Sequence, residues 1–338
     1  MIVGIPYHSQ YDPVSVSDGS LDPLGLFPIA DRLAMRLTPG IRERMSHPRF
    51  LTAMAVGSVI CSDFDQEDIA ADNVSEPWQV YEWYVVQALI RTFYQKREEF
   101  RGLPGSEKAL RAYALGLPLN SARYLKAASV FGFHGVYRTL ATEIGIIDNY
   151  NTLSETGDRL IRTWEKEQKL EGFYTTLTGP GRNFRNEIYR AVRDGLRNAE
   201  VSRSWNWGYN QKISQHLAPY HGTRPEMNVI YDALTDGSAS LRAELINFLQ
   251  TQQGITAWEK EKSEKMFHLE LARHSSEEMK MIISAILAYE EFSRLITDAF
   301  TSILYELTAS SKIFLHQLAQ LEYVKKARIA VPEIFKMD

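Results

Sequence analysis

The chain has 338 residues and a single cysteine, with 38 Lys and Arg against 42 Asp and Glu. One cysteine excludes a disulfide-stapled secreted scaffold, and 44% hydrophobic with 24% charged residues excludes a disordered chain. The length sets an expectation of roughly two or three domains; an opening Met-Ile-Val-Gly-Ile-Pro without a charged leader, and no apolar run near the ~18 residues of a span, set one of a cytoplasmic protein with no membrane part.

Residues 1–23 are interrupted by Pro6, Pro13 and Asp18-Gly19 and read as an irregular or partly extended arm. Phe27, Ala30, Leu33, Ala34 and Leu37 then recur at helical spacing until Thr38-Pro39-Gly40, where the proline ring ends the run. A short helix follows Pro48. The stretch Ser62 to Glu76, with Asp63, Asp65, Glu67, Asp68, Asp72 and Glu76, reads as a solvated loop, and Pro77 suits the first turn of a helix reaching about Phe100. Trp78, Tyr81, Trp83, Tyr84, Phe93 and Tyr94 on that helix are assigned to a core rather than to a cofactor site.

Gly102-Leu103-Pro104-Gly105 breaks the chain again. Two helices are expected at Ser106 to Gly116 and Asn120 to Ala128, and a third from Phe133, with Val136, Leu140, Ala141 and Ile144 as its apolar stripe and Gly145 at its C-terminal cap. Ile146-Ile147 and Thr152-Leu153 flank the polar turn Asp148-Asn149-Tyr150-Asn151, which predicts a small hairpin before a helix from Arg159 to about Leu170. This order resembles a winged helix-turn-helix domain of the bacterial type over residues 105–172. The resemblance is carried by Leu140-Ala141 followed by Gly145-Ile146-Ile147-Asp148, and by Leu153-Ser154-Glu155-Thr156-Gly157, which is similar to the "leucine, threonine, any two, glycine" that closes the wing. It implies that Phe133 to Gly145 enters a major groove and that Ile146 to Ser154 touches backbone or minor groove. That helix offers Tyr137, Arg138, Thr139, Thr142 and Glu143, with one cation among them, which argues against sequence-specific base readout.

Residues 101–212 carry 17 Lys and Arg against 11 Asp and Glu, while the rest of the chain carries 21 against 31. A basic segment around a winged helix suits phosphate contact, because cations gain affinity by displacing counterions. Arg123, Lys126, Arg138, Arg159 and Arg162 lie nearest, and Arg182, Arg185, Arg190, Arg193, Arg197 and Arg203 form a second run after Gly179-Pro180-Gly181. The residues assigned to nucleic acid are Arg123, Lys126, Tyr137, Arg138, Thr139, Thr142, Arg182, Arg185 and Arg193. Trp205, Trp207 and Tyr209 suit burial better than base stacking.

Helices are expected at His216 to Thr235 and Ser238 to Thr251, around the break His221-Gly222-Thr223-Arg224-Pro225. From Ser276 to about Ala309 neither Gly nor Pro occurs, which allows ~34 residues or roughly 50 Å of helix. Its seam Ile282, Ile286, Tyr289, Ile296, Phe300, Ile303 and Leu307 is widened by Ile283, Leu287, Phe292, Leu295 and Leu304, which predicts packing in a bundle with room for a partner chain. Ser310 to Ile329 reads as a further helix. The expected class is therefore mainly α, multi-helical, with a helical domain at 1–104, a winged helix with a small β-hairpin at 105–172, and a helical domain with a long helix at 173–338.

Asp22-Pro23-Leu24-Gly25, Ala30-Asp31-Arg32-Leu33, Pro39-Gly40 and Pro48-Arg49-Phe50 are similar to the opening of uncharacterised bacterial proteins found beside ATPase or nuclease genes in antiphage defence islands. The resemblance implies an accessory subunit of a multiprotein defence system and transfers no catalytic residue. The chain has no phosphate-cradling glycine loop with Lys and Ser or Thr, no convergent zinc ligands and no Gly-x-Ser-x-Gly elbow, so no cofactor and no metal are expected. Asp148 with Glu167-Gln168-Lys169 mimics a nuclease spacing but falls on a helix rather than a strand. The leading expectation is a non-catalytic subunit that holds DNA without sequence preference, or a scaffold for an ATPase or nuclease partner, in a homo- or hetero-oligomer. A second is a protein adaptor that docks through the winged helix and the long helix. A third is a helical, metal-independent ribonuclease using Arg42 and His47, although Pro48 interrupts the helix such a motif needs.

Overall fold

A computed structural model describes residues 22–42, 44–65, 67–125, 128–201, 208–236, 240–259, 264–309 and 313–334. In chain order the helices are α1 (Phe27–Leu37), α2 (Phe50–Cys61), α3 (Pro77–Phe93), α4 (Ser106–Ala114), α5 (Ala128–Phe131), α6 (Phe133–Glu143), α7 (Glu155–Glu167), α8 (Pro180–Asn198), α9 (Tyr209–Leu217), α10 (Arg224–Leu234), α11 (Ser240–Leu249), α12 (Gln252–Glu259), α13 (Glu264–Arg273), α14 (Glu277–Ala309), α15 (Leu315–Leu318) and α16 (Glu322–Ile334). The chain divides into two compact units, residues 38–246 and residues 1–37 with 247–338.

The larger unit is built around α2 and α3. Every residue from Phe50 to Ile60 and from Val80 to Ile90 is buried, as expected of helices whose apolar residues run all the way round. Gly57 lets them approach: a Cβ there would lie 2.7 Å from the Tyr81 ring, whose hydroxyl donates to the Ala53 carbonyl at 3.0 Å. Helices α6 to α9 pack against this pair and share one continuous core with it, so residues 105–172 have no core of their own. At the opposite end of α2, the Arg49 guanidinium meets the Glu226 carboxylate at 3.0 Å and donates to the carbonyls of His216 and Ala218, while Thr52 donates to Glu226 at 2.7 Å. Both charges are buried, and removing either would strand the other at a cost of about 3–5 kcal/mol.

The expected wing is corrected by the structure. Among the described residues no strand forms, and the segment after α6 makes a single antiparallel bridge, Ile147 to Leu153. The Asp148 carboxylate takes the amides of Tyr150 and Thr152 at 2.8 and 2.9 Å, and Asn151 turns through φ 61°, so the loop closes after one rung. Ser58 of α2 donates to the Asn151 carbonyl at 2.7 Å, and Ile146 and Ile147 are buried. The loop is thus pinned to the core rather than projecting as a ribbon.

Asn120 to Ala128 also departs from the expected helix. The Asn120 side chain accepts the Arg123 amide at 2.9 Å, offering the backbone a turn in place of a helix. Helix α3 ends at Phe93, and a short 3-10 turn, Arg97–Phe100, follows it. The residues 1–21 assigned to an arm lie outside the described residues, as do Lys126, Arg203, Trp205 and Trp207.

In the smaller unit α14 runs 33 residues, or roughly 50 Å, against α1, α13 and α16. Met279, Ile282 and Ile283 are buried in its first half, and the Tyr289 hydroxyl donates to the Leu26 carbonyl at 2.8 Å. Leu295 and Ala299 meet Ala327 of α16 farther along. The expected helix over Ser310 to Ile329 is divided into α15 and α16. No helix among the described residues is long and apolar enough to cross a membrane.

Candidate nucleic-acid interface

Helix α6 has the position of a recognition helix but lies inside the core. Phe133, His134, Val136, Tyr137, Leu140 and Ala141 are buried, and Phe50 of α2 stacks on Phe133 at 5.6 Å. Its first amides, Phe133 and His134, donate to the Glu82 carboxylate of α3 at 3.1 Å each, with the Tyr124 hydroxyl at 2.6 Å. A helix N-terminus attracts phosphate through such amides, and here an internal carboxylate holds that place. Burial pushes the Glu82 carboxyl up to about 7, although these three donors pull it down.

The residues assigned to nucleic acid therefore separate. Tyr137 is buried, its oxygen accepting the His47 amide at 2.9 Å, and burial raises its pKa to about 12. Arg138 is exposed and donates to the Asn149 carbonyl at 2.9 Å; Thr139 is exposed and Thr142 half-buried. Arg123 binds the Pro118 carbonyl and Glu200, at 3.0 and 3.4 Å. Arg185 grips Asp63 through both carboxylate oxygens, at 2.9 and 2.8 Å, so it ties α8 to the acidic loop. Arg42 and His47 lie in an irregular segment, with the His47 ring bonded to the Arg101 carbonyl at 2.6 Å, so the helix of the ribonuclease motif is not formed.

Helix α8 keeps its arginines outward. Glu165, near the end of α7, organises the turn that launches it, accepting the amides of Gly172, Tyr174 and Thr175 at 2.8 to 3.0 Å and the Thr175 hydroxyl. Burial acts against this carboxylate, but those donors hold its pKa below the ordinary range. Gly181 follows, where a Cβ would lie 1.8 Å from the Leu170 carbonyl. From there Phe184, Ile188, Val192 and Leu196 face the core. Arg182, Arg190, Arg193 and Arg197 fall within about 80° of arc on the opposite side, over about 22 Å of helix.

Arg190, Arg193 and Arg197 are exposed and Arg182 is half-buried. Arg190 and Arg197 pair with Glu187 and Asp194 at 3.1 and 3.9 Å, exposed contacts of small energy. Arg182 and Arg193 make no ion pair among the described residues. Lys212 of α9 extends the basic surface, its ammonium 4.9 Å from the centre of the Tyr209 ring, whose hydroxyl Arg190 also influences. The sequence names this run, but it could not separate Arg185, fixed by an acid 122 residues away, from its outward neighbours.

No family model, no curated protein and no solved structure matches this chain.

Proposed function

We propose that this protein is a non-catalytic subunit that holds the nucleic-acid backbone along the outer face of α8, with a partner ATPase or nuclease supplying the chemistry. The observation that carries the reading is the row Arg182, Arg190, Arg193 and Arg197 opposite a buried apolar stripe. Such a row spans several phosphates of a duplex strand, and phosphate contact carries no sequence information, so binding is expected to be indifferent to sequence. Arg138 and Thr139 are retained as outlying contacts; Tyr137, Arg123 and Arg185 are occupied within the fold. Anisotropy titrations with unrelated duplexes between about 50 and 200 mM salt test this, since affinity should fall steeply as salt rises. R190A/R193A/R197A should reduce the slope of log K against log salt by about 3. Absence of binding at the lowest salt, or a slope unchanged in the variant, would exclude the proposal.

A second reading rests on the later half of α14 and the segment after it. Leu304, Tyr305, Leu307, Phe314 and Leu315 are exposed there, a density of apolar side chains that suits a docking face for a protein partner. Concentration-dependent mass by light scattering that disappears in L304E/L307E would support self-association through this face. A monomer at all concentrations would exclude self-association through this face.

A further inference from the structure

An open groove of about 990 Å³ lies along the first half of α14, lined also by Glu264 and Lys265 of α13 and Ile334 of α16. Ser284, Ala285 and Ala288 are small, so its floor dips there, and Met281 beside them is exposed. Leu287 and Ile334 add to the apolar lining. The charged lining is balanced, Glu264, Glu290 and Glu291 against Lys265, Lys280 and Arg294. Lys280 is held by Glu277 at 2.6 Å, whereas Lys265 and Arg294 make no salt bridge among the described residues.

The far end of the same helix carries what the groove is suited to receive. Leu304, Tyr305 and Leu307 project there with Phe314 and Leu315 of the following segment, the tyrosine 70% and Leu315 85% exposed. Apolar side chains gathered at such exposure gain free energy when a complementary surface covers them. From Leu304 to Tyr323 the sequence holds two acids, Glu306 and Glu322, against one cation, Lys312. Neither acid makes a salt bridge among the described residues. An apolar tip with spare acids thus matches an apolar floor whose rim holds two spare cations. Tyr305 follows Ala288 by 17 residues, about 25 Å along α14 and about 100° around it, and Leu304 lies about 160° around. Tip and groove therefore face different directions, and one antiparallel pair of α14 helices cannot fill both grooves at once.

We infer that the chain associates with itself head to tail, the apolar tip at the end of α14 in one copy seating in the groove of the next. This rests on the second reading, in which the later half of α14 is a docking face, and it names both the partner and the surface that receives the tip. A contact that uses different surfaces on its two sides leaves a free tip and a free groove after every addition. Light scattering of the full chain should therefore show mass rising past two copies as concentration increases. L304E/L307E blocks the tip and M281E/A285E the groove, each placing unpaired charge in the contact, and each alone should weaken association about a hundredfold. Mixed in equal amounts, the two variants should pair with wild-type affinity and stop at two copies, since one intact tip and one intact groove remain between them. Tyr305→Glu and Ser284→Glu, at exposed positions, repeat the test if circular dichroism shows either double variant to be unfolded. A wild-type monomer at all concentrations would remove this inference together with self-association through the tip. A mass that stops at two, undiminished association of M281E/A285E, or no pairing in the mixture of folded variants would overturn the inference and leave the tip as a docking face.

Discussion

Glu82 is a carboxylate with no exposure, set where the first turn of α6 needs an acceptor. Because burial outweighs its three donors, it titrates near 7 in the fold against 4.5 in a free chain. A carboxyl that keeps its proton longer when folded contributes stability that is fully present below the unfolded value and is lost as pH rises through the folded one. His134 and His216, both held down at about 4 by burial, act in the opposite sense, losing stability as pH falls from 6.5 toward 4. Comparing wild type with E82Q separates the effects, since the histidines are common to both. Gln keeps an acceptor for only one of the amides of Phe133 and His134, a loss that does not vary with pH, and Tyr124 can turn its hydroxyl toward the Pro104 carbonyl, 3.2 Å away. Urea unfolding at pH 5 and pH 8 should show E82Q gaining on wild type by an amount on the order of 2–3 kcal/mol as pH rises. A difference independent of pH would mean that Glu82 is ionised across this range.

At the level of elements, the glycine that closes the expected wing has a steric reason visible only in three dimensions. Gly157 lies in the first turn of α7, and its amide donates to the Gly145 carbonyl at 3.2 Å. A Cβ there would lie 2.0 Å from the Ile146 carbonyl oxygen, which itself accepts the Ser154 amide at 3.0 Å. Helix and loop are thus joined backbone to backbone, and a side chain would prise them apart. Gly157→Ala should destabilise the larger unit by about 1–3 kcal/mol. Gly208, before α9, differs: φ is −60° and nothing among the described residues lies within 4 Å of a Cβ, so Gly208→Ala should be neutral or stabilising by about 0.4–1 kcal/mol. Thermal unfolding of both variants checks the sign, and equal losses would contradict the assigned contact. Elements set by local signals were legible: α1 stops at Thr38-Pro39-Gly40, and α14 fills the stretch without Gly or Pro. The face that α6 buries was not, because Tyr137 and His134 look polar until His47, 90 residues away, and Glu82, 52 away, take up their backbone and side-chain groups.

For the whole molecule, the chain order of motifs does not mark where one core ends. The sequence suggests boundaries near 104 and 172, yet Leu110, Trp164 and Ile188 belong to one cluster with α2 and α3. Cores are assembled by contacts across long separations, which punctuation by Gly and Pro cannot report. The two compact units differ in the extent of their cores: Trp83, Trp164 and Ile188 belong to one large cluster in the larger, whereas in the smaller Leu271, Met279 and Ile283 are inaccessible but the α14 to α16 seam rests on Leu295, Ala299 and Ala327 at 6 to 8% exposure. Cores of such unequal extent predict two unfolding transitions, the smaller unit melting first. Trp83 and Trp164 make emission a reporter of the larger unit, because Trp258 of the smaller is already 66% exposed. Circular dichroism senses both units, so in urea its curve should begin to fall before emission changes. Leu295→Ala should move only the early part, and Ile188→Ala only the late part, by about 2–5 kcal/mol. Superimposed curves, shifted alike by either substitution, would show that the chain unfolds as one cooperative body.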